Sequence, residues 1–546
     1  MVKRVSVILL VLGLTIGGTW PTHGHDGDGA GTGEKLGTVR FATSCSPAVE
    51  KDFNRALAMF HSFWFDPSAT AFAKVAKADP SCGMAYWGIA LTRLGNPFAW
   101  PPAEKQVLAA QQALARAREV GVKTQRERDY IAALGAFYDE AQTIEHRTRA
   151  IAFETTMAQV AKRYPDDTEA TILYALLLNG TALASDKTYA QQLTAAAILE
   201  PILERHPDHP GVVHYLIHSY DYPPIAARGL SAARRYAAVA PSAPHALHMP
   251  GHIFTRLGYW DESIETNRQS AEAAKAELAQ AELRQGSYNA LHAMDYMVYA
   301  YLQQARDAQA KALVDEMKGL TRVDVESFPA AYAFAASPAR YVLERGDWAS
   351  AAELTLHPAS LAWPKFPQAE AVLVFARALG AGRSGDLDRA REGIHRLQGL
   401  EAALKAAKQP FWADQVGIQA QIASAWLLLA EGKRDEATDL MRRAADREDA
   451  TDKHPVTPGP LAPARELLGE MLLDAGRPAD ALAELERSQQ KEPNRLRGYY
   501  GLARAAELAG RPEVARVNYA KLLELTDRAD SDRTEIAKAK EFVATH

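Results

Sequence analysis

Residues 473–481 read LDAGRPADA and residues 508–515 read LAGRPEVA, so the same glycine-centred pattern occurs twice. Gly476 and Gly510 are 34 residues apart. A constant period of this length, with a glycine between two amphipathic segments, indicates a helix–turn–helix unit that is repeated along the chain. Pro493 ends the first of these units, because proline cannot continue a helix. The pattern therefore favours an all-α fold.

Weaker copies of this turn are predicted over the rest of the chain, at Gly95, Gly258, Ala305, Gly346 and Gly432. Gly432 precedes Gly476 by 44 residues, so about ten residues are inserted into this repeat. The insertion is the proline-rich stretch DKHPVTPGPL, residues 452–461, which cannot be helical. No segment alternates apolar and polar residues for long enough to predict a β-strand.

The repeats and the insertion divide the chain into segments. We predict N-terminal helical hairpins over 45–200, repeats over 201–350, further helical repeats over 351–451, a proline-rich loop over 452–461 and a C-terminal pair of repeats over 462–546. The chain of 546 residues has a formal net charge of −5 and no long Lys/Arg cluster. It therefore lacks the basic surface that nucleic-acid binding requires.

The N-terminus has the features of a secretory signal. Lys3 and Arg4 precede an apolar run, residues 5–18, that is too short to span a membrane. We predict a cleaved signal peptide over 1–24, a flexible leader over 25–44 and no membrane span in the mature chain. The expected location is the periplasm or the exterior of the cell.

Cys45 and Cys82 are the only cysteines. In an exported protein an even pair predicts a disulfide, which would attach the N-terminal segment to the first helical hairpin. A thiolate metal pair is the alternative. We prefer the disulfide, because a spacing of 37 residues matches no zinc motif.

Two pairs of histidines follow the same period. His214 and His218 are four residues apart, as are His248 and His252, and the second pair follows the first by 34 residues. Residues four apart lie on one face of a helix, and stacked repeats place equivalent positions side by side. The four imidazoles are therefore expected to converge.

The chain resembles the tetratricopeptide-repeat (TPR) family over most of its length. It is most similar to an uncharacterised group of exported bacterial repeat proteins in the segments FHSFWFD (60–66), HYLIHSYDYP (214–223), PHALHMPGHIFTRLG (244–258) and LHAMDY (291–296). The resemblance implies a TPR-like α-solenoid, a right-handed superhelix of helical hairpins whose concave groove binds a protein or peptide. The group itself implies no activity.

The repeat geometry of the TPR family also implies which side chains face the groove. The positions that correspond to its groove-lining positions are His214, His218, Asp221, His245, His248, His252, His292 and Asp295. Arg256 and Arg340 are further candidates for the groove. Members that clamp a peptide carboxylate carry Lys, Asn and Arg at these positions, whereas this chain carries mostly His and Asp, so the same clamp is not expected.

Clustered imidazoles and carboxylates favour a transition-metal site. Zinc, copper, nickel or iron suit such ligands, whereas calcium does not. A polar seam of hydrogen-bonded histidines is the structural alternative. His61 is interpreted as a core residue, and His454 as part of an exposed loop.

The sequence carries no motif that names a reaction. The preferred interpretation is therefore an exported binding or scaffold protein whose groove binds a partner or a transition metal. A metal-dependent, hydrolase-like enzyme that uses the same His/Asp groove is the alternative, and a non-enzymatic role is preferred.

Overall fold

The computed structural model describes residues 33–280 and 285–546, and the chain in these two ranges is built from α-helices. No β-strand occurs in the described ranges, where an isolated bridge joins Gly286 to Val323. None of the helices in these ranges is both long enough and apolar enough to cross a membrane. The predicted all-α class is confirmed.

The helices follow one another with short connections. The N-terminal helices are α1 (Glu50–His61), α2 (Phe65–Ala78), α3 (Gly83–Thr92), α4 (Glu104–Val120), α5 (Gln125–Tyr138), α6 (His146–Arg163), α7 (Thr168–Thr181), α8 (Ala190–Arg205) and α9 (Pro210–Tyr220). The central helices are α10 (Leu230–Val239), α11 (Pro244–His248), α12 (Pro250–Leu257), α13 (Trp260–Gln280), α14 (Tyr288–Gln303), α15 (Asp307–Gly319), α16 (Phe328–Glu344) and α17 (Trp348–Ala352).

The C-terminal helices complete the array. They are α18 (Pro367–Ser384), α19 (Leu387–Ala406), α20 (Pro410–Ala430), α21 (Arg434–Asp449), α22 (Ala464–Asp474), α23 (Pro478–Lys491), α24 (Leu496–Leu508), α25 (Pro512–Leu525) and α26 (Thr534–Thr545). Short 3-10 helices lie at Pro47–Val49, Pro97–Ala99, Ala226–Gly229 and Trp363–Lys365. Consecutive α-helices pack on each other along the chain, as in a TPR-like solenoid.

The predicted turn residues share one backbone conformation. The seven residues with φ between 53° and 83° at these turns are Gly95, Gly258, Ala305, Gly346, Gly432, Gly476 and Gly510. A left-handed residue after a helix ends it and lets the chain reverse. Ala305 adopts this conformation although its Cβ disfavours it, and the Arg306 N–H donates to Tyr301 O at 2.9 Å. The hairpin turns predicted from the sequence are therefore confirmed.

Residues 36–41 pack against the helical array. Leu36, Val39 and Phe41 are buried, and the ring of Phe41 stacks on those of Phe53 and Trp87. The leader predicted over 25–44 therefore ends earlier than expected, because these apolar side chains cover the first hairpins. The signal peptide predicted over 1–24 lies outside the described residues.

Cys45 and Cys82 form a disulfide, as predicted. Cys82 directly precedes α3, so the bond attaches the N-terminal segment to this helix. Asp79 lies beside the two cysteines, and its carboxylate accepts hydrogen bonds from the backbone of Ser46 and Ser81. Disulfide formation removes both thiols as metal ligands, so the alternative of a thiolate metal pair is excluded.

The C-terminal repeats contact the central helices directly. The Trp260 indole donates to Asn494 O at 2.8 Å, and Arg533 forms a buried ion pair with Asp307. Residues 35–546 thus form one packed unit, although the segments that contact each other are far apart in the sequence.

The proline-rich loop 452–461 is held against the central helices. The Arg340 guanidinium donates to Gly459 O and Pro460 O, and the Tyr296 hydroxyl donates to Pro455 O and Thr457 O. His454 is not exposed as expected, because its ring packs against Phe411 and Trp412. Burial, with a smaller contribution from Lys453, lowers the pKa of His454 to about 3.

Candidate metal centre

Three helical segments supply the six histidines of the cluster. Residues His214 and His218 lie one turn apart on α9. His292 lies on α14, and the other three come from the α11–α12 segment. We call this set, His214, His218, His245, His248, His252 and His292, the six-histidine cluster.

A proline interrupts the helical hydrogen bonding of the segment that carries three of these histidines. Pro250 has no N–H to continue the α-helical ladder, so the chain breaks between α11 and α12 at Met249. The Met249 N–H donates to His245 O, and the His252 N–H donates to Met249 O at 3.1 Å. His248, before the break, and His252, after it, nevertheless lie on the same face of the segment, with their Nε2 atoms 3.0 Å apart.

The cluster consists of two triads. His214, His218 and His245 form the first triad, and their candidate ligand nitrogens all lie within 4.8 Å of one another. His248, His252 and His292 form the second triad and meet the same limit. Each triad combines an i, i+4 pair from one helical segment with a single histidine from another. The triads are adjacent, because the ring centroids of His245 and His248 are 6.2 Å apart.

Five of the six histidines have an imidazole Nε2 atom that faces the Nε2 atom of another histidine in the same triad. The His214 Nε2 atom lies 3.1 Å from that of His218 and 3.2 Å from that of His245. In the second triad, Nε2 of His248 lies 3.0 Å from Nε2 of His252. Tetrahedral ligands at roughly 2.0–2.1 Å from a zinc ion lie about 3.3 Å apart. The observed separations are therefore close to those of nitrogens that share one ion.

Hydrogen-bond acceptors fix the Nδ1 atoms of three histidines, namely His214, His248 and His252. His214 Nδ1 donates to His61 O at 2.7 Å. His248 Nδ1 donates to Asn267 Oδ1 at 2.6 Å, and Asn267 is oriented by its own amide, which donates to Ser263 O. These bonds place the proton on Nδ1 and leave the Nε2 lone pair of each ring free.

Asp221 likewise places the proton of His252 on its Nδ1 atom. Its Oδ2 accepts from His252 Nδ1 at 2.8 Å, and its Oδ1 accepts from Arg256 Nε at 3.1 Å. Burial alone would raise the pKa of Asp221, but Lys453, His252 and Arg256 outweigh this effect and hold the pKa well below its usual value. A carboxylate that accepts from a ligand imidazole is the common outer partner of a metal-bound histidine.

The second triad therefore brings two lone pairs together. His248 Nε2 and His252 Nε2 both lack a proton, because their protons are on Nδ1, and they are 3.0 Å apart. Two facing acceptors repel each other unless a proton or a metal ion lies between them. Burial, followed by repulsion from neighbouring imidazoles, lowers the pKa of His248 well below 6.5, so a proton is disfavoured. The arrangement has the chemistry of a metal-ligand set.

Asp295 and Arg340 lie apart from the histidines. The Arg340 guanidinium is 3.4 Å from Asp295, and the Ser337 hydroxyl donates to the same carboxylate. Among the described residues, no hydrogen bond joins Asp295 to a histidine. Burial raises the pKa of Asp295 to about 6. The structure thus brings together the six predicted histidines and Asp221, whereas Asp295 and Arg340 support the proline-rich loop.

The cluster is enclosed. His214, His218, His248 and His252 are all buried, and His245 and His292 are partly exposed. The Phe98 ring stacks on His218 with 3.8 Å between ring centroids, and Phe63 lies against His214, His218 and His245. From the proline-rich loop, Lys453 reaches Asp221 at 3.3 Å. Burial lowers the pKa of Lys453 to about 8. The histidines therefore line an interior site.

Sequence reasoning missed several residues that position the ligands. Asn267 lies in α13 and Lys453 in the proline-rich loop, and neither belongs to a repeat position that signals a site. His61 was expected in the core and is completely buried, but its carbonyl oxygen also orients His214. Contacts between distant segments create these roles, so no local pattern indicates them.

A third group of ligand-type residues lies nearby. Glu169 accepts from His61 Nε2 at 2.9 Å and from His209 Nε2 at 2.7 Å. The Tyr215 hydroxyl bonds His61 Nδ1 at 2.9 Å, and the Val212 N–H donates to His209 Nδ1. All four ring nitrogens are thus partnered. This group is a hydrogen-bonded network that supports the His61 carbonyl, and it leaves no free lone pair for a metal.

Acidification is expected to destabilise the metal-free protein. A histidine in the unfolded chain titrates near pH 6.5, whereas burial lowers the pKa of every histidine of the six-histidine cluster in the folded chain. The unfolded state therefore binds more protons as the pH falls through 6.5. Each such histidine lowers the free energy of unfolding by up to about 1.4 kcal/mol per pH unit.

Urea denaturation of metal-free protein at about pH 7.5 and about pH 5.5 measures this effect. The His218→Ala/His252→Ala variant is the control, because it lacks two of the titrating groups and its stability should depend less on pH. Equal stability of the wild type at both pH values would show that these imidazoles are not held neutral.

No family model matches the chain, and no curated protein matches it. Similar solved structures include the TPR domain of P58(IPK), with 14% identity over 68% of this chain and 98% of that chain and a TM-score of 0.21. Naa15/Naa10 bound to HypK-THB matches with 13% identity, 90% and 73% coverage and a TM-score of 0.23. The APC/C hetero-tetramer Cut9-Hcn1 matches with 9% identity, 91% and 96% coverage and a TM-score of 0.29.

At TM-scores this low, the superpositions do not decide the architecture. The TPR-like solenoid rests instead on the helices of the chain itself, on their consecutive packing and on the left-handed turn residues of the repeats.

Proposed function

We propose that this helical-repeat protein binds two transition-metal ions in the six-histidine cluster, one in each triad. The observation that carries the proposal is the pair of unprotonated Nε2 atoms of His248 and His252, 3.0 Å apart and each oriented by an acceptor on its Nδ1. A cation between them removes the repulsion between the lone pairs. In the first triad the Nε2 atoms of His218 and His245 lie 3.1 and 3.2 Å from that of His214, whose Nδ1 also has an acceptor.

Copper and zinc fit this site best. Both are bound well by neutral imidazole, and nickel and iron are further candidates. Calcium and magnesium require oxygen ligands, which neither triad supplies. The ligand set is neutral, and the nearby carboxylate of Asp221 is already shared with Arg256 and Lys453. Ions of low charge, or ions that carry a bound hydroxide, are therefore favoured.

Each triad leaves a coordination position open. A tetrahedral ion with three protein ligands accepts water or another small ligand at the fourth position, and structural zinc sites instead use four protein ligands. The proposed site is thus suited to binding or activating a ligand. It is less suited to a purely structural role.

A protein partner is a separate part of the proposal. Helical-repeat arrays present extended surfaces to partners, but four of the six histidines are buried and two are only partly exposed, so the cluster offers a docked peptide little surface. A partner would therefore bind elsewhere on the array.

We also propose that the protein works outside the cytoplasm, which the disulfide supports because such bonds persist in oxidising compartments.

Elemental analysis of protein purified without a histidine tag tests the metal proposal. We expect two copper or zinc ions per chain that survive dialysis, and the same content in the His25→Ala variant, which removes a histidine of the N-terminal leader. Calcium and magnesium should not displace the bound ions. One retained ion per chain after loading with copper or zinc would contradict the two-ion proposal, and no retained ion would leave a hydrogen-bonded polar seam.

A further inference from the structure

The two triads of the six-histidine cluster lie side by side. Two ring pairs cross from one triad to the other. The ring centroids of His245 and His248 are 6.2 Å apart, and those of His218 and His252 are 6.3 Å apart. Because the triads meet at two such pairs, the ligand sets of the two proposed ions adjoin along one edge. Neighbouring ions in a protein can act together on one small ligand.

The charges around the cluster favour univalent ions. Neither triad contains a carboxylate. The carboxylate beside the second triad, Asp221, is shared between Arg256 and Lys453, so the protein already supplies more positive than negative charge there. Buried positive charge without a counter-charge is costly, and this cost is lowest for ions of charge +1. Copper(I) is the univalent form among the metals that imidazole binds well.

The open coordination positions define the kind of ligand that fits. Each proposed ion has three protein ligands and one free position, and the two ions repel each other. A small ligand that spans both positions and takes up negative charge relieves this repulsion. Copper(I) has one electron to give, so a pair of such ions can supply two. Oxygen chemistry of this kind is a property of copper centres.

Aromatic rings enclose the cluster on two sides. Phe63 lies against all three rings of the first triad, and the Phe98 ring stacks on that of His218. Against the second triad, the Tyr296 ring lies 4.8–5.4 Å from the three imidazoles, and its hydroxyl donates to carbonyls of the proline-rich loop. These walls suit an apolar ligand such as a dissolved gas, and they limit the water that could protonate a reduced one.

Two cavities give a small molecule access to the first triad. One, of about 810 Å³, has His218 in its wall, and the other, of about 520 Å³, has His245 in its wall. His218 keeps 5% of its surface exposed, and His245 is partly exposed. Both histidines belong to the ligand set of the same proposed ion. The cluster is therefore enclosed, but it can be reached by a ligand of a few atoms.

We propose that the six-histidine cluster, loaded with two copper(I) ions, binds one dioxygen molecule between them. Each copper(I) ion gives one electron, so dioxygen is reduced to peroxide and both ions become copper(II). Release of dioxygen returns both electrons. The step needs no proton and no outside reductant, and the total charge of the buried site stays the same. This inference rests on the proposed function, since it names the ligand of the open coordination positions.

Exposure of anaerobically prepared, full-length copper(I) protein to dioxygen tests the proposal. We expect uptake of one dioxygen per two copper ions, measured with an oxygen electrode. A charge-transfer absorption should appear on uptake and disappear when the solution is purged with argon. The copper(II) ions should give no electron paramagnetic resonance signal, because the bridging ligand couples their unpaired electrons. Zinc-loaded protein is the control and should take up no dioxygen, because zinc has no electron to give.

The His218→Ala variant separates a bridged pair from a single copper ion. It keeps the second triad, but one copper(I) ion has one electron to give and no neighbour. Dioxygen binding is expected to weaken at least about tenfold, and the charge-transfer absorption should be lost. His206→Ala/His395→Ala is the matched control, because it removes two exposed histidines and should bind dioxygen like the wild type. Equal binding by His218→Ala and this control would overturn the proposal.

The copper content separates this proposal from the proposed function. Two retained copper(I) ions without uptake of dioxygen would overturn the dioxygen proposal alone. Oxidation to two copper(II) ions that give a full paramagnetic signal would do the same, because it would show that no ligand bridges them. Fewer than two retained ions per chain would overturn the proposed function and, with it, this placement of dioxygen.

Discussion

The His218→Ala/His252→Ala variant is expected to lose both metal ions. The two residues belong to different triads, so the double replacement leaves two imidazoles for each ion. Structural zinc sites gain roughly 10–16 kcal/mol from about four ligands, so loss of one ligand should weaken binding by at least about 100-fold. Isothermal titration with zinc and with copper, together with elemental analysis, measures the loss.

The two single variants test the ligands of each ion separately. His218→Ala should remove one ion and His252→Ala the other, because the two histidines belong to different triads. His206→Ala/His395→Ala is the matched control, since it removes two exposed histidines and should leave the metal content unchanged. The helices should persist in all these variants. Retention of two tightly bound ions by the double variant would refute the assignment of the ligands.

Arg495→Met is expected to cause the largest loss of stability. Arg495 is buried and donates to Glu466 Oε2 at 2.8 Å, to Glu344 Oε1 at 2.6 Å and to the Tyr299 hydroxyl at 2.7 Å. It thereby joins α24 to α14, α16 and α22. Its removal leaves two buried carboxylates without a cation, and breaking such a pair typically costs about 3–5 kcal/mol.

Urea denaturation followed by circular dichroism measures this loss. Arg477→Met is the matched control, because Arg477 is exposed and its pair with Asp480 should contribute less than about 1 kcal/mol. Adding Glu344→Gln and Glu466→Gln to Arg495→Met should restore part of the stability, since the unpaired buried charges are then removed. A free energy of unfolding equal to that of Arg477→Met would show that the network does not stabilise the fold.

The helical repeats could be predicted well because their signals are local. A glycine at a hairpin turn and the 3.6-residue period of its flanking helices are properties of neighbouring residues. This is why Gly258 and even Ala305 were located correctly as turns. The break at Met249 also follows locally, from Pro250. The extent of the N-terminal leader was harder to predict from the sequence, because residues 36–41 become part of the core only through their contact with the first hairpins.

The two i, i+4 histidine pairs were visible in the sequence for the same reason, since one turn of helix places such residues side by side. The composition of each triad was not visible. His245 is closer in sequence to His248 than to His214, yet its Nε2 atom faces His214. The angle between successive helices decides this pairing, and that angle depends on the packing of side chains from several segments.

The sequence by itself therefore determined the all-α repeat architecture, the turns and the presence of closely spaced imidazoles, because these follow from short-range periodicity. Only the tertiary structure decided that Asp221 orients His252, that Asp295 pairs with Arg340 instead, and that the proline-rich loop encloses the cluster. Each of these outcomes depends on contacts between residues far apart in the chain. The geometry of these contacts depends on how the helices pack, and no local sequence pattern indicates it.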